Sequence, residues 1–126
     1  MAVRVMYKRI SLSEADLFMS WFPLQDIQDW TTILASSHES SQIIFKHSTR
    51  CSISALAKSR LEKHFKPGDK FYLLDLLSYR SVSNAIATDL RVEHESPQVL
   101  VIKEGKCVYH ASHSAIDFHE VMEKIG

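Results

Sequence analysis

From residue 20 onward, apolar positions of two different periods alternate along the chain. Leu24, Ile27, Thr31 and Leu34 recur at helical spacing and predict a first helix over 24–36. Residues 36–41 are polar and read as a loop. The β-branched run Gln42-Ile43-Ile44-Phe45-Lys46 fits a buried strand. A second helix is expected over 52–65, with Ile53, Leu56, Ala57, Leu61 and Phe65 on one face. It ends at Pro67-Gly68-Asp69. Residues 71–76 make the next strand, and Ser81 is placed to cap a third helix in which Val82, Ala85, Ile86 and Leu90 share a face. Pro97 opens a strand over 98–102, and Lys103-Glu104-Gly105-Lys106 turns it back into a strand over 107–111. Ser114 is expected to cap a final helix striped by Phe118, Val121, Met122 and Ile125.

The predicted order is therefore α-β-α-β-α-β-β-α. Strands separated by helices should run parallel through right-handed crossovers, and the hairpin pair must be antiparallel. A four-stranded mixed sheet with helices on both faces is the natural packing of such an α/β pattern. That arrangement is the thioredoxin-like fold. The first eighteen residues are less regular. Val3, Val5 and Tyr7 alternate with polar neighbours as an edge strand would, without a turn to join it to the rest. Met19-Ser20-Trp21 also reads as a natural start. Residues 1–18 are thus either an accessory extension or a mis-assigned translation start, and residues 19–126 are the expected domain.

Composition narrows the function more than the fold. A chain of 126 residues suits one domain with one core. Fifteen basic and fifteen acidic side chains cancel without forming a basic patch, so neither nucleic acid nor an anionic membrane is an expected partner. The apolar runs are far shorter than a membrane span. No apolar block follows Arg4, Lys8 and Arg9, so no signal peptide is evident and a cytoplasmic location is expected.

Within this framework Cys51 stands out. It comes just past the carboxyl end of a central strand, at the first turn of a helix. Unpaired backbone N–H groups and the positive end of the helix dipole favour the thiolate there. Arg50 adds a positive charge, Thr49 shares the turn, and Ser52 and Ser54 are placed to donate hydrogen bonds to the sulfur. The thiolate is the attacking species in exchange chemistry. The motif Cys51-Ser52-Ile53-Ser54 is C-x-x-S, so Ser54 cannot resolve a mixed disulfide as a second cysteine would. Exchange with a small thiol suits such a lone nucleophile, because a second small-thiol molecule can release it.

Cys107 is expected to be structural. It starts the returning strand of the hairpin, about 17 Å of strand rise from Ser112, whereas a disulfide needs Cα atoms within about 7 Å. Ser96-Pro97, opening a strand beside the cysteine, is well placed for a cis bond and for docking an extended substrate by main-chain hydrogen bonds. Of seven histidines, His110 and His113 cannot chelate together on one strand, where residues three apart face opposite ways, so no metal is expected. His113, at the top of the last strand, is a candidate for contact with a bound small thiol. His47, four residues before Cys51, is either a tuning base or a solvent-facing loop residue.

The segment Ile44-Phe45-Lys46-His47-Ser48-Thr49-Arg50-Cys51-Ser52-Ile53-Ser54 resembles the active-site segment of the bacillithiol-system YtxJ family, the monothiol bacilliredoxins. Ser81-Val82-Ser83-Asn84-Ala85-Ile86-Ala87, His94-Glu95-Ser96-Pro97-Gln98-Val99 and His110-Ala111-Ser112-His113 are similar to the same family, so the likeness spans about residues 20–126. The resemblance implies Cys51 as nucleophile and Pro97 as a cis proline, with Thr49, Arg50 and Ser54 shaping the sulfur's surroundings. It also implies bacillithiol as co-substrate, S-bacillithiolated cytosolic proteins as clients, and no tightly bound cofactor. The residues alone leave two alternatives: a redox-inert binding module of the same fold, and a glutaredoxin-like exchanger using another small thiol. Arsenate reductases and peroxiredoxins also use an activated cysteine, but their cycles usually need a resolving thiol within reach.

Overall fold

The computed structural model describes residues 20–126, so the extension at 1–18, with Val3, Val5 and Tyr7, lies outside the described residues. In chain order the elements are β1 (Trp21–Pro23), α1 (Ile27–Ser36), β2 (Gln42–His47), α2 (Ser52–Glu62) and β3 (Phe71–Asp75). Then follow α3 (Arg80–Leu90), β4 (Gln98–Lys103), β5 (Lys106–Ser112), a 3-10 turn (His113–Ala115) and α4 (Phe118–Ile125). The sheet runs β1-β3-β2-β4-β5. β3 lies parallel to both β1 and β2, and β4 is antiparallel to β2 and β5.

The α/β expectation holds, with one correction: the sheet has five strands rather than four. β1 adds to the edge through the register Trp21↔Phe71 to Pro23↔Leu73. Three residues are too few to show alternation, and a proline is tolerated at an edge because its missing N–H faces no partner. The strand is anchored by Trp21, whose ring packs 5.1 Å from Phe65 and 5.6 Å from Phe45 and donates to Glu62 Oε2 at 2.6 Å.

Two of the helices, α1 and α4, start where a side-chain cap puts them. α1 begins at Ile27 because the Asp26 carboxylate accepts from the Asp29 N–H. Its buried residues are Trp30 and Ile33, while Ile27 and Thr31 face out. Leu24 is buried ahead of the helix, and this is why the predicted stripe is off phase. Ser81 does not cap α3; Tyr79 holds the N-cap position and Ser81 lies inside the helix. Ser114 sits in the 3-10 turn, and α4 is capped by Asp117, which accepts from the His119 and Glu120 N–H groups.

Two cores result, one on each face of the sheet. On one face, Trp30 and Ile33 of α1 and Val82, Ile86 and Leu90 of α3 pack on Ile44, Leu74, Leu100 and Ile102. On the other, Ala57 and Leu61 of α2 and Phe118 and Val121 of α4 pack on Ile43, Phe45, Phe71, Val99 and Val101. β2 is buried over its whole length between them. Its alternating side chains therefore reach opposite cores, which matters for its last two residues, Lys46 and His47.

Candidate active site

β2 ends at His47, a turn follows through Thr49 and Arg50, and α2 starts at Ser52. Cys51 is the N-cap residue of α2, with extended backbone at φ −110° and ψ 121°. Its N–H donates to the Ser48 carbonyl at 3.1 Å, and its own carbonyl accepts the Ala55 N–H at 3.0 Å. Among the described residues no side chain caps this helix start, and its first turn carries no acidic residue. Cys51 is half-buried and its thiol is free. A thiol here thus faces the positive end of an eleven-residue helix with no competing carboxylate on that turn. Thr49, Arg50 and Ser52 are exposed around it.

Ser54 departs from its expected place. It is fully buried, and its Oγ lies 2.6 Å from His47 Nδ1 while accepting the Ser48 N–H at 3.0 Å. Position 54 falls on the buried face of α2 with Ala57 and Leu61, so its hydroxyl is turned toward the end of β2 rather than given to the sulfur. It ties the first turn of α2 to the strand that precedes it.

His47 is likewise no solvent-facing loop residue. It is the last residue of β2, it is buried, and its ring stacks on Phe45 at 5.8 Å. Burial, reinforced by the Lys58 charge, holds its pKa below the usual value; Asp75 and Glu62 oppose this more weakly. A neutral imidazole bonded to Ser54 is the form this favours.

The Ser96–Pro97 bond is cis. The register Lys46↔Gln98 brings Pro97 level with His47, at the end of the sheet that carries the turn to Cys51. The Pro97 carbonyl accepts the His113 N–H at 3.0 Å. His113 Nδ1 lies 3.5 Å from Glu95 Oε1, so the exposed His113 ring is tied to this same loop. Cys107 lies at the other end of β4, opposite Ile102 beside an irregularity in the ladder. Its thiol donates to the Tyr109 carbonyl at 3.3 Å, and burial pushes its pKa up.

Lys46 and His94 both fall in segments that resemble the family, Lys46 in 44–54 and His94 in 94–99, but neither is expected from the sequence to take part in the site. In the sequence Lys46 is only the last residue of a β-branched run, yet its side chain is fully buried.

The sequence matches the family described as monothiol bacilliredoxin BrxC over residues 22–121. The chain belongs to this family. The resemblance carried by the segments around Cys51 and Pro97 is thereby borne out. Among solved structures, one described as an oxidoreductase with a thioredoxin fold is 25% identical with a TM-score of 0.75. It covers 86% of this chain and 96% of its own. Fasciola hepatica thioredoxin matches with a TM-score of 0.63 at 16% identity, over 82% of this chain and 94% of that one. The short form of spinach chloroplast thioredoxin f gives 0.59 at 14%, over 85% and 91%. The last two likenesses show the thioredoxin fold alone. Among the described residues, no helix of this bacilliredoxin-family chain is long and apolar enough to cross a membrane.

Proposed function

We propose that this protein is a monothiol thiol–disulfide oxidoreductase that removes bacillithiol from S-bacillithiolated cytosolic proteins through Cys51. The observation that carries the reading is the free thiol of half-buried Cys51 at the uncapped start of α2, with a buried serine where a resolving cysteine would stand. The Cys51 thiolate attacks the bacillithiol sulfur of the client's mixed disulfide. The client's sulfur leaves as a thiolate, and Cys51 carries bacillithiol in a new disulfide. A second bacillithiol thiolate attacks that disulfide, releasing the oxidised bacillithiol dimer and restoring the Cys51 thiolate. Bacillithiol enters as co-substrate and no resident cofactor is needed.

Exposed apolar groups support a protein client rather than a free small disulfide alone. On the outer face of α2, Ile53 is 56% and Leu56 is 58% exposed, within five residues of the sulfur. Helical spacing assigns both to the core. Ser54, Ala57 and Leu61 face inward instead, and α2 ends at Glu62, before Phe65. Ser96 and Pro97 offer the backbone beside which an extended segment of the client would lie, and Thr49 and Arg50 are exposed in the turn before the sulfur.

Mass spectrometry after exposure to oxidised bacillithiol and, separately, to oxidised glutathione tests the reading. An adduct on Cys51 from bacillithiol and not from glutathione is the expected result. Glutathione reacting as well as bacillithiol would move the protein to a general small-thiol exchanger. No adduct from either would leave a redox-inert binding module.

A further inference from the structure

Five residues before Cys51 the central strand sends a lysine into the core. Lys46 is fully buried on the face it shares with Ile44, pointing toward α3. Its ammonium lies 3.3 Å from the Ser83 carbonyl and 3.4 Å from His94 Nδ1. Ser83 Oγ is 3.1 Å from the same ring nitrogen. A lysine has only donors, so Nδ1 must be the unprotonated, accepting nitrogen and His94 carries its proton on Nε2. Burial, and then the charges of Lys46 and Arg80, hold the His94 pKa down against the pull of Glu95, consistent with that neutral ring. Among the described residues Lys46 forms no ion pair.

Gln98 is its cross-strand partner on β4 and is also fully buried. Gln98 Nε2 donates to the Glu93 carbonyl at 3.1 Å. Thus β2, α3 and β4 each send a buried polar side chain to the loop between α3 and Pro97, at Glu93 and at His94. The loop has few other buried ties: among the described residues, Ser96 Oγ and Gln98 Oε1 are buried without a hydrogen-bond partner. Packing does not explain the lysine. A methionine would fill the same space without an ammonium to desolvate, and lysine is almost never fully buried unless paired.

We propose that Lys46 is a positioning residue, which through His94 and Ser83 fixes the 93–97 loop in register with Cys51 so that a client docks beside the sulfur. The proposal rests on the exchange reading of Cys51, and its test is built so that the two can fail separately. In Lys46→Met, amide exchange at residues 93–96 should quicken about tenfold, the order expected for one lost buried hydrogen bond. Turnover of a bacillithiolated single-cysteine protein should show KM raised by a similar factor, with kcat changed less than about threefold. Tm should not fall. His94→Asn, which keeps an acceptor where Nδ1 stands, should retain the wild-type KM, and His94→Leu should not. Lys46→Gln, uncharged and of similar reach, is the second variant at the same site.

Unchanged loop exchange in both lysine variants overturns the proposal, as does a loosened loop with unchanged KM. A lowered Tm in both makes the lysine plain scaffolding and also overturns it. Equal losses in kcat and in the alkylation rate of Cys51 would make Lys46 a partner of the thiolate and refute the positioning role. Wild-type protein that turns over no S-thiolated substrate breaks the exchange reading alone. The amide-exchange measurement still decides whether Lys46 holds the loop.

Discussion

Cys51 and Cys107 carry the same free, half-buried thiol to opposite ends of one sheet, and the groups around them differ. At the Cys51 end a helix starts without a side-chain cap, and Lys46, His47, Ser54 and Gln98 are buried polar residues within a few positions of the strand ends. At the Cys107 end the thiol donates to a carbonyl of its own strand, and burial disfavours its ionised form. The hairpin turn there is held by the Ser37 hydroxyl, which accepts the Gly105 N–H at 2.9 Å. Glu104 and Gly105 both take positive φ in this turn, and only the glycine does so without steric cost. The buried titratable side chains, Lys46 and His47, thus lie at the end where chemistry is proposed, whereas the buried polar residues at the opposite end, Ser37 and Gln42, are uncharged.

The comparison breaks most visibly at the sulfurs themselves. Cys51→Ser should abolish the bacillithiol adduct completely, whereas Cys107→Ser should leave its yield and rate intact; intact-mass analysis of both variants decides this. An adduct surviving in Cys51→Ser would dissolve the contrast between the two ends.

The next effect concerns the cost of polarity at the Cys51 end. Burial lowers the Lys46 pKa to about 8 from an ordinary 10.5. Below pH 8 the lysine is charged in the folded and unfolded chain alike, so the desolvation penalty is fully present. Between pH 8 and 10.5 the folded lysine gives up its proton while the unfolded one keeps it, so the penalty fades as pH rises. Wild type should therefore gain on the order of 3 kcal/mol relative to Lys46→Met across that window. Urea unfolding of both proteins at pH 7 and pH 10 measures it, and a constant difference would show that the ammonium is not held in a desolvated site.

A smaller effect is expected at Ser54. Ser54→Ala strips the partner from both His47 Nδ1 and the Ser48 N–H, and should destabilise the fold by about 1–3 kcal/mol, as a broken buried hydrogen bond does. Urea unfolding at neutral pH checks it. A near-neutral outcome would mean that the link between β2 and α2 is carried by packing alone.

Much of this is legible in the chain because it depends on local chemistry. The run 42–46 and the turn at 103–106 each specify their element through β-propensity or turn geometry, whereas α2 stops at Glu62, short of Pro67-Gly68-Asp69. The position of Cys51 between a strand and a helix follows from those boundaries. Helix phase is less secure. Ile53 and Leu56 look like core residues by composition, and only the angle at which α2 lies on the sheet shows that Ser54, Ala57 and Leu61 face inward. The same rotation takes Ser54 from the sulfur and gives it to His47.

The sequence by itself determined the α/β order, the strand–cysteine–helix unit and the separation of the two thiols, because periodicity and turn chemistry act over a few residues. Tertiary structure alone decided that Trp21–Pro23 joins the sheet, that His47 is buried, and that Lys46 meets His94 beneath the Pro97 loop. Those facts depend on which distant surfaces meet. Forty-eight positions separate Lys46 from His94, and no local propensity encodes a contact that exists only once β2, α3 and β4 have packed.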